Sequence, residues 1–389
     1  MSEIVIHRQD AGNLPRRRRG SAEPTDTRLL RTIAASLPSD YPPVSQLEVE
    51  TALEAMADAT KAAIAADLDC YIDWSRRDQR PPLPATPEGL VLYLRHLEAE
   101  GKKPATLSRR MASMANIHRL IGHSDKDDLP TDHPMVRNAL RANRRRKGAV
   151  QKQAAPLRFG GPLNDDVKGF TITALLDACG GDLQGLRDAA LLSLGYDAGL
   201  RVSELTRVEV EHIDLQEDGS ATLFIPFSKT DQEQEGAWAW LSVETMRRVA
   251  AWQDASSIKQ GLMFRRVGVD RRRARQSDPE MELARTIYTI GKTALTRQGV
   301  NGIYRRVALA AYEMGLVILP AGKLRDAVQA LSTHSLRVGL TQDLFAAGED
   351  GAGIAQALRW SSPTTALRYG RKLAVRSNVA ARVLSRVRR

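Results

Sequence analysis

The chain has 389 residues and 42% apolar content, enough for two domains with buried cores and too apolar for a wholly disordered protein. Its formal charge of +11 and pI of about 9.8 suit a polyanionic partner, duplex DNA first, though charge alone fits other basic proteins. Cys70 and Cys179 lack CxxC spacing and the histidines show no HxxH or HExxH pattern, so neither a disulfide framework nor a metal site is expected. No stretch approaches the ~18 apolar residues that span a bilayer, and the N-terminus has no signal-peptide core. These features read as a cytoplasmic, reduced protein with no membrane partner.

Residues 1–26 carry Arg16-Arg17-Arg18-Arg19 and Pro24 without an apolar period, and read as a disordered basic arm. Residues 27–142 read as an all-helical domain. The stretch Val49 to Arg77 has neither proline nor glycine. Thr86-Pro87 marks a helix start, Leu90, Leu94 and Leu97 follow at helical spacing, and Gly101 stops that helix. A further helix carries Leu107, Met111, Met114, Ile117 and Ile121 on one face and Ser108, Arg109, Arg110 and Arg119 elsewhere, ending at Gly122. Its apolar stripe is core, and its basic side suits solvent or a DNA groove equally.

Residues 143–162 read as a basic linker, with Arg144, Arg145, Arg146 and Lys147 before Gly148. Residues 163–389 read as a second, mostly helical domain interrupted by a β-rich island: Glu211 to Leu215, Ala221 to Phe227, and Ala237 to Leu241, with Asp218-Gly219 as a hairpin turn. The expected fold class is therefore mainly α with a small antiparallel β-sheet. Residues 265–280, with Arg265-Arg266 and Arg271-Arg272-Arg273, read as an exposed basic loop. Residues 376–389 read as a terminal helix, with Val379, Val383, Leu384 and Val387 on one side.

Several residues of the second domain share one chemistry. Catalysis at a phosphodiester is chiefly positioning and electrostatic stabilisation. Arginine forks match phosphate oxygens in pairs, so Arg201 and Arg337 suit a clamp on one phosphate. His334, three residues before Arg337, suits hydrogen bonding to that phosphate or proton exchange with a nucleophile. Trp360 offers an indole donor and a rigid wall. Lys229 suits protonation of a departing oxygen, and Glu204, three residues after Arg201, suits orienting that arginine or His334. Tyr369 is the candidate nucleophile, and with an ordinary pKa near 10 it needs cations and a base nearby. Taken singly, each has a plainer role: an ion pair, a solvated lysine, a core indole or a helix cap. The case rests on their joint occurrence and order.

As a set, Arg201, Glu204, Lys229, His334-x-x-Arg337, Trp360 and Tyr369 resemble the active-site signature of the tyrosine recombinase (phage integrase) family, over residues 60 to 389. Within it the chain looks most like members that carry Trp where many have His. The resemblance implies a two-domain clamp around duplex DNA, in which an all-helical core-binding domain precedes an α+β catalytic domain. It implies site-specific recombination: attack by Tyr369, a 3′-phosphotyrosine, a free 5′-hydroxyl and a Holliday junction, with no cofactor, neither metal nor ATP. Arg201, Arg337, His334 and Trp360 would bind the scissile phosphate, Lys229 would be the general acid and Glu204 a supporting residue. The partners implied are a recombination site and a homo-tetramer on two DNA sites, from a monomer in free solution, each protomer passing its last helix to a neighbour. Lys61, Lys103, Thr106, Arg109 and Arg110, with Arg144, Arg145 and Arg146 of the linker, are expected to contact DNA.

Two departures from the family pattern stand out, the arginine-rich arm and the extended region 265–300. A type IB topoisomerase-like or telomere-resolving enzyme uses the same chemistry, and an idle DNA-binding relative is the reading outside catalysis. The intact signature disfavours the idle relative. The lack of an acidic triad disfavours a metal-dependent nuclease.

Overall fold

The computed structural model describes residues 23–123, 129–148, 153–159, 169–226, 235–272 and 285–376, together with 383, 384 and 387. Two compact units divide the chain, Met1–Lys152 and Gln153–Arg389. Among the described residues no helix is long and apolar enough to cross a membrane.

The first unit is helical: α1 (Thr25–Ala34), α2 (Gln46–Glu54), α3 (Asp58–Arg77), α4 (Pro87–Ala99), α5 (Pro104–Leu120) and α6 (Pro134–Lys147). Local chemistry sets several boundaries. The Thr86 hydroxyl accepts from the Gly89 amide at 3.1 Å and Pro87 fills the first turn, so α4 starts where sequence rules place it. Gly101 and Gly122 follow α4 and α5 at positive φ (76° and 98°), a conformation glycine adopts without steric cost. Leu90, Leu94 and Leu97 of α4 and Leu107, Met111, Met114 and Ile117 of α5 are buried in one core. Tyr71, Trp74 and Tyr93 meet at its centre, with the Tyr71 and Tyr93 rings edge-to-face at 5.1 Å.

The stretch Val49 to Arg77 is helical, divided between α2 and α3 at Ala55–Ala57. Two expectations need correction here. The first helix begins at Thr25, inside the expected arm. The run Arg144–Lys147 is the last turn of α6 rather than linker, because good helix formers continue unbroken to Gly148 at φ 73°. Residues 1–22 and 149–152 lie outside the described residues.

In the second unit, α7 (Ile172–Asp177), α8 (Leu183–Asp197) and α9 (Val202–Leu205) precede β1 (Ile213–Leu215), β2 (Ala221–Ile225) and β3 (Ala237–Leu241). Then come α10 (Val243–Ser256), β4 (Arg265–Arg272), β5 (Arg285–Ala294), α11 (Arg297–Glu313), α12 (Ala321–Ala330), α13 (Ser335–Ala346), α14 (Gly351–Ala357) and α15 (Pro363–Arg376). The strands β1, β2 and β3 form an antiparallel sheet, with Ile213 opposite Leu223 and Leu223 opposite Ala239. Ala221, Leu223 and Ile225 alternate inwards, as the period of two requires. Asp218-Gly219 lies between β1 and β2, with Gly219 at φ 83°. Helix α8 runs through the core: Ala190, Leu191, Leu192 and Leu194 are fully buried and pack towards α10 and α13.

The expected basic loop 265–280 is strand from Arg265 to Arg272, paired antiparallel with β5. Val267 and Val269 supply the strand period, but the interleaved arginines obscure it. Residues 273–284 intervene and offer no two-residue turn signal. Most of the terminal-helix residues 376–389 lie outside the described residues.

A close backbone approach fixes α13. The Leu157 amide donates to the Ser335 carbonyl at 3.0 Å, and a Cβ on Gly339 would lie 1.8 Å from the Leu157 carbonyl oxygen. Gly339→Ala should therefore lower unfolding free energy by about 1–3 kcal/mol through overpacking. Gly302→Ala, on the exposed side of α11 with open space around it, should raise it by roughly 0.5–1 kcal/mol. Denaturant midpoints of the two variants check the pair; equal effects would be inconsistent with the close approach.

Candidate active site

The site forms where the turn after α8 meets the segment between α14 and α15. Arg201 precedes α9, and its backbone amide donates to Glu204 Oε2 at 2.9 Å while its guanidinium Nη1 donates to Oε1 at 2.8 Å. One carboxylate thus fixes both the backbone and the fork of Arg201. The Glu204 side chain is 1% exposed. Burial alone would raise its pKa, but the Arg201 amide, the Arg201 guanidinium and the Arg359 charge outweigh it, and the carboxyl lies below its ordinary range.

Arg337 sits in the first turn of α13 and is fully buried. Nη1 donates to the Gly199 carbonyl at 2.7 Å, and Nη2 donates to the Leu358 carbonyl. Gly199 has φ 54°, a conformation that favours glycine, and a Cβ there would meet the side-chain tip of Leu358 at 2.3 Å, so that side chain would have to shift. Burial, then the charge of Arg201, draws the Arg337 pKa down to about 9, still above neutral, so its guanidinium remains charged.

The Arg337 guanidinium carbon lies 5.0 Å from the centroid of the Trp360 ring. That indole also stacks on Tyr369, with centroids 5.3 Å apart and planes 11° from parallel. Both contacts use the indole face, where a cation and an offset ring are each favoured. Phe345, Ile354, Leu358 and Ala366 form a small apolar cluster with Trp360 packed against it, joining α13, α14 and α15. Tyr369 is half-buried on α15, and its carbonyl accepts from Gln342 Nε2 of α13 at 3.3 Å. The helix bends at Gly370, just past the candidate nucleophile.

His334 is the residue before α13, three positions ahead of Arg337, and is exposed. Desolvation of its ring, then the positive charges of Arg337, Arg297 and Arg201, lowers its pKa, so the imidazole is neutral at pH 7 and able to accept a proton. The structure thus brings Arg201, Glu204, His334, Arg337, Trp360 and Tyr369 together. Lys229 lies on the connection from β2 to β3, outside the described residues. Arg359 is the residue that sequence reasoning missed. Its Nη2 donates to the Ala198 carbonyl at 2.9 Å and lies 3.6 Å from Glu204 Oε2. Its place immediately before Trp360 was the available signal.

The expected DNA-contact residues fall differently in the first unit. Lys61 is largely buried, its ammonium 2.9 Å from Asp26 and 3.1 Å from Asp58, so its charge is met within the unit. Arg109 pairs with Asp67, and Arg110 donates to the Tyr93 hydroxyl. Arg146 makes a two-pronged pair with Glu98 at 3.1 and 2.7 Å. Lys103 and Arg145 are exposed and Thr106 is half-buried. Arg144 donates to Ser108 at 2.9 Å, which joins the end of α6 to the opening turns of α5 that carry Thr106, Arg109 and Arg110, just after Lys103. Among the described residues no group of His, Cys, Asp and Glu forms a metal cluster.

Residues 166–375 match the family model described as the phage integrase family. The integrase/recombinase xerD homolog of Selenomonas ruminantium is 32% identical over 216 residues, 54% of this chain and 60% of that protein, so less than two thirds of its length is matched. The recombinase cre of Escherichia phage P1 is 25% identical over 323 residues, 80% of this chain and 83% of that protein. Among solved structures, a XerH site-specific recombinase bound to a palindromic difH substrate, in a post-cleavage complex, has a TM-score of 0.52 at 14% identity. That likeness covers 92% of this chain and 96% of the other, and shows the fold.

Because the folded-state pKa of Glu204 is depressed, its stabilising contribution is present above its ordinary value of 4.5 and is lost as pH falls through the lower folded value. Glu204→Gln should lower stability at pH 7 and flatten the acid limb of the stability profile below about pH 4.5. Denaturant midpoints measured across that range check it; an acid limb identical to wild type would remove Glu204 as its source.

Proposed function

This chain belongs to the phage integrase family, and from that membership we propose that it is a tyrosine site-specific recombinase that breaks and rejoins duplex DNA without metal or ATP. The observation that carries the reading is the Trp360 platform, which holds Tyr369 on its face and Arg337 within 5.0 Å of its centre.

On this reading the reaction begins at Tyr369. The Tyr369 Oη attacks the scissile phosphorus, giving its proton to a base for which neutral His334 is suited. A P–O bond to Tyr369 forms as the bond to the 5′ oxygen breaks, leaving a 3′-phosphotyrosine. Lys229 supplies the proton that the 5′ oxygen takes up. Charge on the non-bridging oxygens is met by the forks of Arg201 and Arg337, held in place before substrate arrives. The phosphotyrosine conserves the bond energy, so a 5′-hydroxyl from a partner strand reverses the step and a Holliday junction follows. The helical first domain and the second domain then serve as a DNA clamp. Lys103, Thr106, Arg109, Arg110 and Arg144–Arg146 line its first half, and Lys61 supports it from within. Four protomers assemble on two sites, with the apolar side of 376–389 docking on a neighbour.

Incubation with supercoiled DNA from the native locus, without metal and quenched with detergent, tests the chemistry. Wild type should yield protein joined to a 3′ end. Tyr369→Phe should yield none while its DNA affinity stays the same; an adduct surviving in that variant removes Tyr369 as nucleophile. Arg201→Ala or Arg337→Ala should each slow adduct formation by about 10²–10³. Supercoil relaxation without recombinant products would mark a topoisomerase-like enzyme instead.

A further inference from the structure

Arg359 belongs to no part of the signature read from the sequence, yet its backbone and side chain are both unusual. Its φ is 55°, a left-handed conformation that side chains other than glycine rarely adopt. Its side chain is 10% exposed, and its Nε and Nη1 are buried with no hydrogen-bond partner among the described residues. An arginine buried in this way with unmet donors is costly unless something compensates it. The third nitrogen shows where it is directed: Nη2 reaches the Ala198 carbonyl at 2.9 Å and Glu204 Oε2 at 3.6 Å. Glu204 therefore lies between two guanidinium groups, Arg201 on one oxygen and Arg359 near the other. With Arg337 close by, three arginines share this single buried carboxylate, so positive charge stands in excess.

We propose that Arg359 is a positioning residue of the phosphate site: it holds Glu204, and through it the fork of Arg201, and adds a third buried positive charge that a bound phosphodiester balances. The inference rests on the tyrosine-attack reading above for its substrate. It differs from a packing role in what it requires of the side chain, which must be cationic as well as long. Methionine conserves the stem without charge, lysine conserves charge without the fork, and glycine removes the side chain while relieving the backbone.

The test is single-turnover adduct formation by Arg359→Met, Arg359→Lys and Arg359→Gly, beside DNA affinity. Loss of preorganised charge should slow the Met and Gly variants by about 10- to 100-fold with affinity within about twofold of wild type, and Lys should recover part of the rate. Wild-type rates in a folded Met or Gly variant, or Lys no faster than Met, would overturn the proposal. A second readout needs no cleavage: inorganic phosphate at matched ionic strength should raise the Tm of wild type more than that of Arg359→Met. Equal shifts, or no shift in wild type, would also overturn it. If wild type forms no adduct while the phosphate shifts differ as expected, the recombinase reading fails and the anion site stands.

Discussion

The buried guanidinium of Arg337 is the interaction on which the rest of the second unit depends. It donates to the carbonyl of Gly199, in the turn after α8, and to that of Leu358, in the turn after α14. These two turns are more than a hundred residues apart in the chain, and each carries half of the site. Arg201 and Glu204 follow the first; Arg359, Trp360 and Tyr369 follow the second. A buried charge-assisted hydrogen bond contributes more than a neutral one, and losing one partner leaves the charge uncompensated. Arg337, the arginine proposed to meet the phosphate, thus also ties the two halves of the site together.

The second constraint is steric and has its own direction. Gly339 allows the Leu157 backbone to approach at a distance no Cβ would tolerate, and Gly199 turns at a positive φ beside Leu358. Helix α13 is thereby fixed against the segment 153–159. Asp343 reinforces that placement by accepting from Arg158 Nε at 2.7 Å, the Phe159 amide at 2.6 Å and the Tyr196 hydroxyl. Among the described residues a small apolar cluster, the Arg337 bond to the Leu358 carbonyl and the Gln342 bond to the Tyr369 carbonyl join α14 and α15 to α13.

Much of this was legible in the sequence, for identifiable reasons. Caps and stops such as Thr86-Pro87 and Gly101 act locally, so α4 could be placed from a few residues. Period-two alternation in Ala221–Ile225 marked β2 for the same reason. Arg201, Glu204, His334, Arg337, Trp360 and Tyr369 are chemically distinctive types whose convergence the geometry now displays. What escaped depends on distant partners. The break between α2 and α3 carries no proline or glycine, and β4 is a strand only because β5 lies beside it. The burial of Lys61 depends on Asp26 and Asp58, one of them on another helix. Arg359 escaped because its backbone is left-handed without glycine and its partners lie at residues 198 and 204.

Charge balance connects these points. An isolated ion pair between Arg201 and Glu204 would be neutral and would need no ligand. Arg337 and Arg359 beside it leave the cluster positive in a place where water is scarce, which desolvation opposes. A fold bears that cost only if other interactions hold the groups in place, and here backbone carbonyls at Ala198, Gly199 and Leu358 do so. Carbonyl oxygens partly stabilise a cation without neutralising it. They are the partners a site would need if its charge is to remain available to an incoming anion. Carboxylates, by contrast, meet Lys61, Arg109 and Arg146 in the first unit. A carbonyl partner leaves a guanidinium its full net charge, whereas a carboxylate partner cancels it.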